Sequence, residues 1–364
     1  MRSASTQWRV SLLGLLLASA VLVNARQPAL VGLLVAPFAG EQPLASQTAT
    51  VLQLQTWQTL RLAPPNNTHH LSFGRGIVQW AEWAPPAVHS EALAQLSNTA
   101  SQMVLWGRVQ KLGNGVVIQA YLSVAPNSGP QAGDMWRLDL PELGPSKTSI
   151  GVSLPATFFE FAPIVLRLDL IPLFNSRVGT SPANVPVYRD RTFRDQVGVL
   201  GNAFQATEQG PDVARVKTPD VEGWISIPGL STTRNEVSDF AGGMIRIYRR
   251  DWGGAIDLLQ RVVDARDQPV GIRVSSYLLM SAASRKLHDQ IGEPDRSLEF
   301  AEAAERLNPY LRETVKYKCM ALLARRTQPD AIRQLDSTVK ASSYLFPKDD
   351  PWLAKVTAVV GRAR

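Results

Sequence analysis

From Leu30 onward, short apolar runs alternate with polar, proline- or glycine-marked breaks, and their period changes near residue 234. Leu30–Phe38 is an apolar run closed by Pro37, Gly40 and Pro43, the pattern of a buried strand. In Thr48–Leu60 the apolar residues Val51, Leu52, Leu54, Trp57 and Leu60 fall close to helical spacing. Leu71–Trp83 suits a strand, and Ser90–Ala100 suits a helix with Ser90 at its cap and Leu93 and Leu96 on one face. Met103–Val109 and Val116–Val124 flank Gly113-Asn114-Gly115, the clearest hairpin signal in the chain, because a tight turn between twisted strands needs positive φ. Met135–Leu140 alternates Trp136, Leu138 and Leu140 with polar residues and is expected as one more strand of the same α/β domain. Ile150–Phe174, with Phe158, Phe159 and Phe161, reads as strands or an extended connector packed on that domain, with a hinge over Ser176–Asn184.

Between Val185 and Leu230 the apolar pieces become short and evenly spaced: Val185–Tyr188, Gln196–Leu200, Ala203–Thr207, Ala214–Lys217 and Gly223–Ile225. Strands this short, with no helical stretch among them, predict a small all-β barrel. From Val237 the period turns helical. Ala255, Ser297 and Ala331 hold equivalent places in the second helices of successive pairs, 42 and then 34 residues apart. Proline follows the same division: of 25 in the chain, 19 precede residue 234. Proline removes an amide donor and fixes φ, so long helices belong to the back of the chain.

Composition and charge narrow the picture. Hydrophobic residues make up 45% and charged residues 19%, which excludes wholesale disorder and coiled-coil composition. Of the net charge of +7, residues 26–233 contribute nothing, with 14 basic and 14 acidic side chains, while residues 234–364 carry 22 against 17. No charge run resembles a nucleic-acid tail. Arg2 and Arg9 precede an uncharged stretch, Val10–Val23, that ends in Val23-Asn24-Ala25. These are the parts of a secretory signal peptide over residues 1–25. The run falls short of the ~20 residues of a membrane-spanning helix, which favours cleavage after Ala25 over a retained signal anchor. An exported chain with one cysteine, Cys319, fits a bacterial periplasm, and no second membrane span is expected.

Three resemblances follow from these residues. Val35-Ala36-Pro37-Phe38 and Val104–Val109 resemble the N-terminal α/β domain of the TolB family of periplasmic proteins, which implies a protein–protein or scaffold module over residues 26–148. Residues 149–182 form the connector. Val197–Leu200, Gly223-Trp224-Ile225 and Leu230 resemble a bacterial Src-homology-3-like domain over 183–231, which implies binding of a peptide or of the cell wall. In that reading Tyr188 and Trp224 make an aromatic groove; the alternative is that Trp224 fills the barrel. Gly243, Ala255 and Leu259, then Ala301, Ala304 and Pro309, then Ala331 and Leu335 resemble tetratricopeptide repeats over 234–364, with Asp349–Val360 as a capping helix. Two departures stand out: Arg246 replaces the aromatic of the first helix, and the first spacing is eight residues too long. Such repeats imply a concave surface for a partner segment. Arg246, Arg249, Arg250, Arg285, Lys286, Lys316 and Lys318 are either a basic face for an acidic partner or a solvated surface.

Candidate chemistry is sparse. No nucleophile elbow, phosphate loop, paired cysteines or His-Glu-x-x-His occurs, and the adjacent His69-His70 lies in a proline-rich loop. His89 precedes the expected helix, His288 lies near a helix end, and Asp349-Asp350 before Pro351 reads as a helix start. The chain is therefore expected to be a multidomain α+β protein without cofactor, metal or catalytic site. As such it is expected to be a periplasmic or secreted scaffold or adaptor for other envelope proteins, with peptidoglycan as a further candidate partner. A small-molecule-sensing envelope module and an accessory subunit of an envelope enzyme are the alternatives.

Overall fold

The computed structural model describes residues 32–42, 44–45, 48–49, 52, 56, 59, 78–80, 84–97, 101–112, 115–125, 135–144, 148–167, 178–179, 185–200, 204–209, 213–226 and 236–363. The expected signal segment, His69-His70 and most of the expected hinge lie outside them. The described chain is α+β, with sheets first and helices at the C-terminal end.

The first sheet contains β1 (Leu33–Val35), β2 (Val78–Trp80), β3 (Met103–Leu112) and β4 (Gly115–Val124), joined by β7 (Phe158–Glu160) and β8 (Ile164–Arg167). Its order is β2-β1-β3-β4-β7, with β8 also on β4. β1 is parallel to both neighbours, and β3 runs antiparallel to β4 with Leu112 opposite Gly115, as the glycine turn predicts. β7 and β8 follow one another along the same edge of β4. One face of this sheet is covered by a helical segment whose described residues, Leu44, Ala45, Thr48, Ala49, Leu52, Thr56 and Thr59, form its buried stripe. The other carries α1 (His89–Ser97), which starts one residue before the expected Ser90 cap. Glu91 in its first turn reaches back to accept the Ala87 backbone N–H at 2.7 Å, tying down the chain ahead of the helix.

Met135–Leu140 departs from expectation. It does supply a strand, β5 (Trp136–Asp139), but this pairs with β6 (Ser149–Val152) in a separate two-stranded sheet. The alternation puts Trp136, Leu140, Ile150 and Val152 on an apolar face, and the complementary surface belongs to the C-terminal helices. Two strands cannot bury an apolar face by themselves, so the hairpin goes where the larger apolar partner lies.

The next sheet holds β9 (Val178–Gly179), β10 (Val185–Tyr188), β11 (Gln196–Leu200), β12 (Phe204–Gln209), β13 (Val213–Lys217) and β14 (Glu222–Ser226), in the order β11-β10-β14-β13-β12-β9. Its described strands pair antiparallel throughout. β9 comes from within the expected hinge.

The helices are α2 (Glu236–Tyr248), α3 (Trp252–Asp264), α4 (Val270–Ile291), α5 (Ser297–Leu307), α6 (Arg312–Ala324), α7 (Pro329–Ser342) and α8 (Pro351–Ala363), each packed on the next. Ala255, Ser297 and Ala331, where small residues were expected, are all buried. A Cβ on Gly243 would stand 2.9 Å from Leu259 Cγ, so α2 and α3 approach too closely there for a side chain. The overlong first spacing is explained by α4, which has 22 residues where α6 has 13. Asp350 Oδ1 accepts the N–H groups of Trp352 and Leu353 at 2.9 Å each, so the expected helix start at Asp349-Asp350 is an N-cap.

A single hydrophobic cluster runs from the first sheet through Val187, Val216 and Ile225 into α2, α3 and α4. At its centre Phe240 of α2 meets Phe159 at 4.7 Å and Phe161 at 5.6 Å between ring centroids. Because Phe240 is fully buried, Phe240→Ala is expected to lower stability by about 3–5 kcal/mol in denaturant unfolding of the full chain. A loss under about 1 kcal/mol would mean that this aromatic joint is not where sheet and helices are held.

Candidate functional site

The side of the second sheet that faces away from the core concentrates aromatic and cationic groups. In β10 and β14, Val187 and Ile225 point inward and are buried, whereas Tyr188 and Trp224 alternate to the opposite face and are half-buried. They stand directly across from each other in the ladder. The approach of the two strands requires Gly223, since a Cβ there would lie 2.4 Å from the Tyr188 carbonyl oxygen.

The β10–β11 loop, Arg189–Asp195, closes over this pair. Asp190 Oδ1 accepts from Thr192 N–H at 2.8 Å and from the Thr192 hydroxyl at 2.6 Å, a turn that Asp favours. Those two bonds, with the charges of Arg189 and Arg194, hold the Asp190 carboxyl below the usual range against a small desolvation cost. Arg189 pairs with Asp195 across the loop base. Phe193 adopts φ of 57°, uncommon for an aromatic residue, and meets Tyr188 edge-on at 5.3 Å. Arg191 lays its guanidinium over the Trp224 ring, 4.1 Å from the centroid. On the neighbouring strands Arg215 and Lys217 share Glu222 at 3.1 and 3.5 Å. Beyond the loop, β11 leaves Val197 37% and Val199 46% exposed.

Tyr188 and Trp224, which the sequence singled out, are therefore together, both half-buried. Phe193, Arg191, Val197 and Val199 were missed. A lone Phe inside Arg-Asp-Arg-Thr-Phe-Arg-Asp was the available signal, because an aromatic in a charged loop has no reason to be there unless it packs.

The seven cations expected to form one basic face do not form it. Arg246 is 5% exposed and pairs with Asp251, whose other oxygen caps α3 through the Gly254 N–H at 3.2 Å. It locks a turn. Arg285 bridges Asp289 at 2.6 Å and Asp295 at 3.1 Å, and Lys318 pairs with Glu305 at 2.7 Å in a mostly buried contact. Lys286 and Lys316 are half-buried, the latter 5.8 Å from the Trp352 ring centroid, and burial lowers the Lys316 pKa. Only Arg249 and Arg250 of the seven are exposed. The C-terminal helices also carry the chain's own β5–β6 hairpin. Ser149, Gly151 and Ser153 turn alternate carbonyls toward the helices and accept from Lys355 at 3.1 Å, Trp352 Nε1 at 2.9 Å and the Tyr317 hydroxyl at 2.8 Å.

Other reactive groups are held structurally. Cys319 is fully buried and burial pushes its thiol up to about 12. His288 Nδ1 lies 2.7 Å from the Glu293 carbonyl oxygen at the end of α4. Among the described residues no group of three or more His, Cys, Asp or Glu is placed to hold a metal, and no helix is long and apolar enough to cross a membrane. No family model, curated protein or solved structure matches the chain.

Two outcomes follow from these environments. Cys319 is expected to resist thiol alkylation near neutral pH in the native chain and to react fully once unfolded, read by intact mass. Asp295 is desolvated, but bonds from Ser297 and Arg285 and the charge of Arg325 win and hold its carboxyl below the usual value. A depressed carboxylate stabilises the fold above its unfolded pKa and loses that contribution as pH falls through the folded one. Unfolding free energy is thus expected to drop below about pH 4 in the native sequence and to drop less in Asp295→Asn.

Proposed function

We propose that the chain is a non-enzymatic periplasmic scaffold or adaptor, and that its docking surface is the outward face formed by Tyr188, Phe193, Trp224, Val197 and Val199 under Arg191. In this reading the first sheet is a TolB-like scaffold module, the second a Src-homology-3-like barrel and the helices a tetratricopeptide-like array. The observation that carries it is the composition of one sheet face. Its inner side is already buried in the core, so nothing in folding explains aromatic and valine side chains on the outer side. Such a surface suits an extended, apolar segment with carboxylates: the rings take its apolar side chains and the arginine-rich loop faces its charges.

The hairpin seated on α6 and α8 argues against the helices as the main docking site. Four buried apolar residues, Trp136, Leu140, Ile150 and Val152, hold it there. At about 1.5–3 kcal/mol each, their exposure would cost about 6–12 kcal/mol, comparable to the roughly 8 kcal/mol of a micromolar complex. The array then supports the docking face rather than competing with it.

The test uses the full mature chain. Crosslinking in the intact envelope identifies the partner, and binding is then compared with Trp224→Ala and Val199→Lys. Each substitution is expected to weaken capture at least tenfold, because truncating a central aromatic anchor costs about 2 kcal/mol or more. Sedimentation with peptidoglycan separates the cell wall from a protein partner. Capture unaffected by both substitutions, with neither protein nor peptidoglycan lost, would place the docking surface elsewhere.

A further inference from the structure

The outer face of the first sheet is covered, among the described residues, by α1, whose Ala92 and Leu96 rest on Leu34, Ala36, Val104 and Trp106. This contact is small, and His89, the first residue of α1, adds to it in two ways. Its ring lies 5.2 Å from that of Phe158 on β7, and its Nδ1 is 2.8 Å from the Ser123 hydroxyl on β4. Ser123 is fully buried and its oxygen already accepts the Trp106 Nε1–H at 2.9 Å.

That order of donors fixes the proton. The Ser123 oxygen takes the indole N–H on one lone pair, and among the described residues His89 Nδ1 is the acceptor within reach of its hydroxyl hydrogen. Nδ1 must then accept, which a neutral ring with its hydrogen on Nε2 does and an imidazolium cannot. Protonation would aim two N–H groups at one oxygen and drive the hydroxyl hydrogen into a buried space with no described acceptor. It would also set a positive charge at a helix N-terminus.

We propose that α1 is an acid-released latch: the Trp106–Ser123–His89 relay holds it on the sheet when the imidazole is neutral, and protonation of His89 frees it and uncovers Trp106 and Tyr121. Desolvation lowers the His89 pKa, in agreement with this geometry. The other charged or titratable groups on the elements around the ring are Glu91 on α1, engaged with the Ala87 N–H; Tyr121 on β4, stacked on Phe158 at 5.7 Å; and Arg108 and Lys111 on β3 and Glu160 on β7, all exposed. None of these accepts a proton from Nδ1. The sign follows from the depressed pKa: the latch is closed above the unfolded histidine value of about 6.5 and is lost as pH falls through the folded one.

Amide hydrogen exchange of the full chain, corrected for intrinsic rates, reads the latch over residues 89–97. Protection there is expected to fall about tenfold between about pH 7.5 and about pH 5. His89→Asn keeps a side-chain acceptor at the same reach without a proton to gain, and its protection is expected to stay constant. Unchanged protection in the native sequence, or an equal fall in the variant, overturns the proposal. Should the Asn variant fail to fold, the native chain still decides: the Trp106 indole N–H resonance must titrate with the His89 midpoint, and an indole signal indifferent to that midpoint overturns the relay.

Discussion

Phe240 is the residue on which the arrangement of sheets and helices turns. It projects from the first helix of the array into a socket made by Phe159 and Phe161, which flank the point where the last strands of the first sheet bend along β4. Nearby, the Thr56 hydroxyl reaches Ser238 at 3.4 Å, so the segment covering the sheet also touches the array. Rings in edge and tilted contact fix orientation as well as distance. With that joint made, one hydrophobic cluster spans the first sheet, the second sheet and α2–α4.

Local structure was largely legible because local rules produce it. Gly113-Asn114-Gly115 announced the β3–β4 hairpin, since few other residues tolerate such a turn, and the register has Leu112 opposite Gly115. Small residues at Ala255, Ser297 and Ala331 announced buried positions on successive helices, and all three are buried. Tyr188 and Trp224 were recognisable as a pair since strand alternation fixes the face on which each stands.

Long-range choices were not legible. Trp136, Leu138 and Leu140 declare an apolar strand face but not its partner, and both the first sheet and the helices offered apolar surface. The answer depended on the shape of α6–α8, which no window around residue 136 contains. Arg246 misled for a related reason: a cation on a helix reads as solvated unless the carboxylate that pairs with it is known to fold back. Asp251 does so only because the α2–α3 turn places it there. Burial of charge is decided by partners, and partners are a property of the fold.

The length of α4 has a mechanical meaning. Ile272, Leu279 and Met280 on this helix belong to the cluster that includes the sheets, while Val274, Leu278 and Ala282 belong to the one that holds the hairpin and the last helices, with Tyr277 touching both. One rod is thus gripped by two separate bodies along overlapping stretches. A load applied between the front of the molecule and its C-terminal end passes into that rod as shear on its flanks, where many side chains resist together, rather than as a peel that opens one contact at a time.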